Sequence, residues 1–387
     1  MLVYIITPLF PTKDNEVIGT FVYEQCKALV DRGYDVVVLN VTGLGWKNWN
    51  NNKMNEINEG FIEGVKFYNY YYRSVASAKF PLREMRKCEN ILNKMYEYAL
   101  ERHGCPDLIH LHFSFPLGKG VKNLAIRNKV PLVVTEHHSM FLNRNINNYL
   151  IKEVTSLVKN SSSFICVSTY LKESLESYIK TSVDIKVVPN MIDNRFEYHK
   201  LKSSTNNFDF LSIGSFRKIK KHDLLVKSFI KAFKESDRVS LRIVGTGKEK
   251  RKVKKIIKKN NREKQILLLG SKRREEVLEE IIACDCFTLA SKDETFGVVY
   301  REAMAVGRPV VSTNNGGVLE SWSDSYGVLA KKNDIEDLSN KLRYMYMYSK
   351  DFNHECISNQ TLERYSENSV INMVIKVYEK TLKDVRT

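Results

Sequence analysis

Glu294 and Glu302 stand in E-x7-E spacing within Ser291-Lys292-Asp293-Glu294-Thr295-Phe296-Gly297-Val298-Val299-Tyr300-Arg301-Glu302. A strand ending near Ala290, a loop and a helix starting near Gly297 put the first carboxylate at a strand mouth. They put the second on the helix's first turns. That helix start exposes unpaired N–H groups and a partial positive charge, which favour a phosphate or a sugar hydroxyl. An ionised carboxylate only accepts hydrogen bonds, so Glu302 suits vicinal hydroxyls such as those of ribose. Spacing alone does not separate this from two solvated charges at a helix start. His110 and His112 share a strand face, a spacing also open to metal ligands, but with no convergent carboxylate motif they read as structural or rim histidines. No two aspartates stand at D-x-D spacing, so no metal is expected. Gly245-Thr246-Gly247-Lys248-Glu249 lacks the third glycine of a dinucleotide fingerprint and the Ser/Thr of a P-loop.

The elements that position these residues read as α/β. Leu2–Ile6, Val36–Leu39, Leu108–Leu111, Leu132–Thr135, Phe164–Val167 and Ile185–Val188 are short β-branched runs, with helical segments between most of them. A second series runs through Phe208–Ile213, Leu241–Val244, Ile266–Leu269, Phe287–Leu289 and Val310–Ser312. The loop-like Pro189–Phe208 lies between them. Two α/β domains with largely parallel sheets, facing a cleft, are the expectation. The first helix spans Thr20 to Arg32, with Thr20 as its cap and Gly33 as its stop, so that Gly19 sits where a substrate approaches. A turn glycine without a ligand is the plain alternative.

The whole stretch from Ser291 to Val311 resembles the signature of family 4 of the retaining glycosyltransferases, S-x-x-E-x-F-G followed by E-A-M-A-x-G-x-P-V-V, in every letter. Asn315-Gly316-Gly317 with Glu320 resembles the family's G-G-x-x-E. Val188-Pro189-Asn190-Met191-Ile192-Asp193 is similar to its P-N-G-V-D, and Val134-Thr135-Glu136-His137 to its V-T-x-H. Gly214-Ser215-Phe216 through Leu225 resembles G-R-L followed by K-G-x-D-x-L, with Lys220 on the family's lysine, Ser215 replacing its arginine and Lys221 its glycine. The resemblance implies a GT-B fold of two Rossmann-like domains facing a central cleft: residues 1–190 as the acceptor-side domain, 191–365 as the nucleotide-sugar domain, and 366–387 as a helix returning to the first. It implies a retaining hexosyltransferase using a UDP-sugar and no cofactor. Glu294 would hold sugar hydroxyls, Glu302 the ribose, and Lys220 the leaving diphosphate as a compact point charge. His137 would lie near the donor sugar. Backbone N–H groups around Phe296, Gly297, Val298, Gly316 and Gly317 would meet sugar and phosphates, and Arg217 would stand in for the missing arginine.

The 387 residues carry a net charge of +16, and the longest apolar runs are far shorter than the roughly 20 residues of a membrane span. No signal peptide is read at Met1–Ile6. Seven cysteines without C-x-x-C pairs fit buried thiols in a reducing cytoplasm. The lysine-rich run 248–259 has Val253, Ile256 and Ile257 at helical spacing, which reads as a solvated amphipathic helix. No nucleic-acid partner is expected, the rival being a basic nucleic-acid-binding or scaffold protein that keeps this fold without turnover. The resemblance implies a saccharide or lipid-linked saccharide acceptor in cell-surface polysaccharide or glycan synthesis, and the charge surplus makes an anionic membrane surface a candidate partner. Lys79, Arg83, Arg86 and Lys87 beside Phe80, Leu82 and Met85, with Lys119 and Lys122, are the candidate contacts. A surplus that only confers solubility is the alternative.

Overall fold

The structure is a computed structural model. It describes residues 1–12, 18–45, 53–74, 80–142, 146–179, 182–201, 207–234, 236 and 238–386, so Lys79 lies outside the described residues. The chain divides into two compact units, Met1–Met191 with Glu367–Thr387, and Ile192–Ser366.

The first unit runs β1 (Leu2–Thr7), α1 (Thr20–Asp31), β2 (Asp35–Leu44), β3 (Ile57–Ile62), β4 (Val65–Arg73), α2 (Pro81–His103), β5 (Leu108–His112), α3 (Gly118–Asn128) and β6 (Leu132–Glu136). It continues with α4 (Asn148–Asn160), β7 (Ser163–Cys166), α5 (Thr169–Glu176) and β8 (Ile185–Val187). Its sheet has the order β3-β4-β2-β1-β5-β6-β7-β8, parallel except for the β3–β4 pair. Continuous apolar strands such as Val3–Ile6 and Val36–Leu39 are buried on both faces, as parallel strands covered by helices must be. The hairpin β3–β4 is an unforeseen addition, because Ile57–Ile62 alternates with polar residues and Gly60 and stays half-exposed at the sheet edge. The cap of α1 also differs. Gly19, at φ +74°, precedes the helix and Thr20 is its first helical residue, since the backbone turns in the left-handed region glycine favours.

The second unit runs β9 (Phe208–Ile213), α6 (His222–Ala232), β10 (Val239–Val244), α7 (Lys250–Lys259), β11 (Ile266–Gly270), α8 (Arg274–Ala283), β12 (Cys286–Leu289), α9 (Val298–Ala305), β13 (Val310–Thr313), α10 (Gly316–Leu319) and β14 (Gly327–Ala330). It closes with α11 (Ile335–Tyr348) and α12 (His354–Tyr365). The sheet is wholly parallel, in the order β11-β10-β9-β12-β13-β14. On α7, Val253 and Ile257 are buried and Ile256 partly so, while the flanking lysines face outward. The last helix, α13 (Glu367–Arg386), returns to the first unit. It places Val370, Ile371, Val374, Val377 and Tyr378 against Val22, Cys26 and Leu29 of α1, whereas Met373 points outward at 41% exposure. Five cysteines are buried, but Cys105 is exposed and Cys356 partly so, which corrects the all-buried expectation.

Candidate active site

In the second unit the carboxyl ends of β9, β12 and β13 carry the signature residues, as expected of a doubly wound sheet. The turn Lys218–Lys220 follows β9, and the loop Ser291–Gly297 follows β12. The Lys292 backbone N–H donates to the Ile219 carbonyl at 2.8 Å and ties the two together. This brings Lys220 Nζ to 2.6 Å from Glu294 Oε1, which also accepts from Ser291 Oγ at 2.6 Å. Thr313 Oγ1, at the end of β13, donates to the Ser291 carbonyl at 2.6 Å and fixes the loop from the other side. Glu294 is therefore a buried, twice-bonded carboxylate, and the reading of a solvated charge fails here. Gly317 lies against it so closely that a Cβ there would stand 2.6 Å from Glu294 Cβ.

Gly297, at φ +77°, turns the chain into α9, so Val298 is the first helical residue and its N–H has no intrahelical partner. Phe296 is buried beneath the Arg301 guanidinium, whose Cζ sits 4.8 Å from its ring centre. Arg301 also reaches the Glu320 carbonyl at 2.6 Å, linking α9 to the residue after α10. Burial lowers the pKa of Arg301 from its ordinary value. Gly316 and Gly317 open α10 and are buried, with Asn315 as the cap whose side chain accepts from the Val318 N–H. Arg217 and Ser215 are exposed in the turn after β9.

Glu302 lies in the middle of α9 at 1% exposure, far from the solvated state its sequence allowed. Its Oε1 accepts from Arg274 NH1 at 2.6 Å, and Arg274 Cζ lies 4.5 Å above the Phe196 ring. Arg274 escaped the sequence reading because Arg273-Arg274-Glu275-Glu276 looks like an ordinary charged helix start.

In the first unit, His137 follows β6 and is buried. Its Nε2 lies 3.0 Å from His112 Nδ1, and the two rings stack at 5.2 Å. Phe21 and Phe113 pack on it, each with ring centres 4.9 Å away. His110, on the same strand as His112, bonds Tyr378 Oη at 2.6 Å and Thr135 Oγ1 at 2.8 Å, so it serves the docking of α13. Burial holds His112 at about 3, and burial with the neighbouring rings holds His110 and His137 well below 6.5. Glu136 anchors the turn by accepting from the Ser114, His137 and His138 backbone N–H groups, and burial raises its pKa nonetheless. Gly19 approaches the Leu9 carbonyl so closely that a Cβ would stand 2.4 Å from its oxygen, a backbone reason for glycine independent of any ligand.

The basic residues of the first unit differ in their surroundings. Arg83 and Arg86 are exposed on α2 and Phe80 before it is 59% exposed, but Met85 faces the core. Lys87 donates to the Arg73 carbonyl at 2.8 Å, Lys122 donates to Ser156 Oγ at 2.8 Å, and Lys119 lies 3.8 Å from Glu89. Among the described residues no helix is long and apolar enough to cross a membrane, and no group of three or more His, Cys, Asp and Glu residues is arranged to hold a metal ion.

The profile of the family Glycosyl transferases group 1 matches residues 193–362, and that of Glycosyltransferase Family 4 matches residues 18–196. The uncharacterized glycosyltransferase MJ1178 of Methanocaldococcus jannaschii is 32% identical over 281 residues, 70% of this chain and 75% of that protein. N-acetyl-alpha-D-glucosaminyl L-malate synthase of Bacillus anthracis is 25% identical over 315 residues, 79% of this chain and 76% of that protein. Sucrose-phosphate synthase (tll1590) from Thermosynechococcus elongatus superposes with a TM-score of 0.80 at 14% identity, over 99% of this chain and 100% of that one. Anabaena Alr3699/HepE, solved with UDP and glucose, superposes at 0.71 and 15% identity, over 98% and 100%. These structures share the GT-B fold with two Rossmann-like sheets, and the chain belongs to the family of glycosyl transferases group 1 and is a glycosyltransferase.

Proposed function

We propose that the enzyme moves a hexose with retention from a nucleotide-sugar, a UDP-sugar, to a saccharide or lipid-linked saccharide acceptor in glycan or cell-surface polysaccharide synthesis. The observation that carries this reading is the Lys220–Glu294 pair at the strand mouths beside the start of α9. In the proposed mechanism Glu294 holds hydroxyls of the transferred sugar, Glu302 accepts from the ribose, and Lys220 neutralises the leaving diphosphate without a metal. The N–H groups at Gly297–Val298 and Gly316–Gly317 bind sugar and phosphate oxygens, with Arg217 as an added cation. The acceptor attacks the face the diphosphate leaves, and the diphosphate takes the acceptor proton. The acceptor reading is supported by relatives whose names include alpha-monoglucosyldiacylglycerol synthase of Streptococcus pneumoniae and the GPI3 subunit of a phosphatidylinositol N-acetylglucosaminyltransferase of Saccharomyces cerevisiae. The enzyme works in the cytoplasm, peripherally on an anionic membrane face.

A panel of nucleotide-sugars incubated with the purified chain and no acceptor tests the donor. Slow hydrolysis confined to UDP-sugars is expected. Turnover of only another nucleotide class would contradict the UDP assignment.

A further inference from the structure

The Glu302 carboxylate is held on one side only. Oε1 accepts from Arg274 at 2.6 Å, whereas Oε2 is buried and, among the described residues, has no hydrogen-bond partner. A buried carboxylate oxygen without a donor is costly, and such groups are ordinarily satisfied by protein, water or ligand. The arm that holds the other oxygen is itself built up in layers. Phe196 is fully buried and forms the floor under the Arg274 guanidinium. The segment carrying Phe196 is pinned to the start of α8, because Arg195 bonds both Asp193 at 2.6 Å and Glu275 at 2.6 Å. Arg274 is the first residue of that helix, so its position is set at the backbone and again at the ring. A planar guanidinium fixed in this way constrains the carboxylate it grips far more than a lysine would.

We propose that Arg274 is a positioning residue that aims Glu302 so that Oε2 accepts from a ribose hydroxyl, and that this pair makes the enzyme select ribonucleoside over deoxyribonucleoside diphosphates. The inference rests on the nucleotide-sugar reading and deepens it. A site built to bond a hydroxyl discriminates strongly against an analogue lacking it, since the polar atom is then left unpaired. Arg274 touches no substrate; its effect passes through Glu302.

The test is calorimetric titration of the purified chain with UDP, 2′-deoxy-UDP and 3′-deoxy-UDP. Wild type binds UDP at least tenfold tighter than one of the two deoxy forms. Arg274→Met keeps an apolar chain over Phe196, and its fold is checked by circular dichroism. It loses at least tenfold in UDP affinity, and the ribo/deoxy ratio falls to within about twofold. Phe196→Leu leaves Arg274 in place with a poorer floor, and the ratio drops severalfold. A merely structural role would weaken all three ligands alike and keep the ratio. A folded R274M or F196L with the wild-type ratio overturns the proposal, and so does a wild type that binds all three equally. Failure of wild type to bind UDP, ADP or GDP at all would instead remove the nucleotide reading beneath it.

Discussion

Lys220 Nζ stands 2.6 Å from Glu294 Oε1 although 74 residues separate them in the chain. The two side chains keep only 18% and 11% of their exposure, so the pair is mostly desolvated and its attraction is less screened than at an open surface. The ammonium has three donors and spends one on Glu294, leaving two for a ligand oxygen. Glu294 likewise keeps Oε2 beside the bonded Oε1. The pair holds both charges in place before a substrate arrives, which is the preorganisation that electrostatic catalysis requires.

Glu294→Gln and Lys220→Ala should each lower kcat by roughly 10²–10³ with the fold retained. Steady-state kinetics alongside circular dichroism measure this. A double-mutant cycle followed by chemical denaturation should show a coupling of about 1–3 kcal/mol. Near-wild-type turnover by either variant would take that residue out of the mechanism.

Gly317→Ala tests the close approach itself. The new methyl would lie 2.6 Å from Glu294 Cβ and 2.7 Å from its carbonyl oxygen, and neither the backbone nor a side chain bonded twice can yield cheaply. Stability should fall by about 1–3 kcal/mol and activity by more than tenfold. Unchanged thermal unfolding and unchanged rate would show that the loop accommodates the methyl.

Acid sensitivity follows from the buried imidazoles. Burial holds His222 at about 4 and His112 at about 3, while each ring titrates near 6.5 once unfolded. Above about pH 6.5 their contribution to stability is complete. Below it the unfolded chain takes up protons the folded chain refuses, so stability falls toward the folded values. From pH 7.5 to 5.5 each ring should remove about 1.4 kcal/mol. Urea unfolding at both pH values should show the loss, and His222→Asn should reduce it by about that amount. An equal loss in the variant would contradict the assignment.

The membrane proposal rests most on Arg83, Arg86 and Lys87 beside exposed Phe80, since Lys119 and Lys122 are only partly exposed and Lys119 faces Glu89. At about 1 kcal/mol per basic residue near an anionic surface, Arg83→Glu with Arg86→Glu should weaken binding to anionic vesicles by more than tenfold. Sedimentation at low salt checks this. Wild type left in the supernatant at low salt would end the membrane-surface reading.

Strands are legible where apolar runs are continuous, as at Val3–Ile6 and Val36–Leu39, because strands buried on both faces carry an unbroken apolar pattern. Gly327–Ala330 is too short for periodicity to register, and Ile57–Ile62 is too polar. The face of α2 is not legible to the residue: Met85, grouped by its neighbours with the exposed basic residues, is buried. Within the site, the E-x7-E spacing located both glutamates but not their burial. The partners come from other elements, Lys220 from the turn after β9 and Arg274 from the start of α8, and pairing across a fold leaves no local signal in the chain. His112 was visible as a strand-face histidine, yet its contact with His137 depends on the register that sets His112 opposite Thr135.

The most direct measurement is proton NMR of the sugar released or transferred from an α-linked UDP-sugar, followed in time with wild type and with Glu294→Gln. The account predicts that the α anomer forms first, before mutarotation, and that the variant forms it at least a hundredfold more slowly. Initial release of the β anomer, or an unslowed variant, would contradict retaining transfer at the Lys220–Glu294 site.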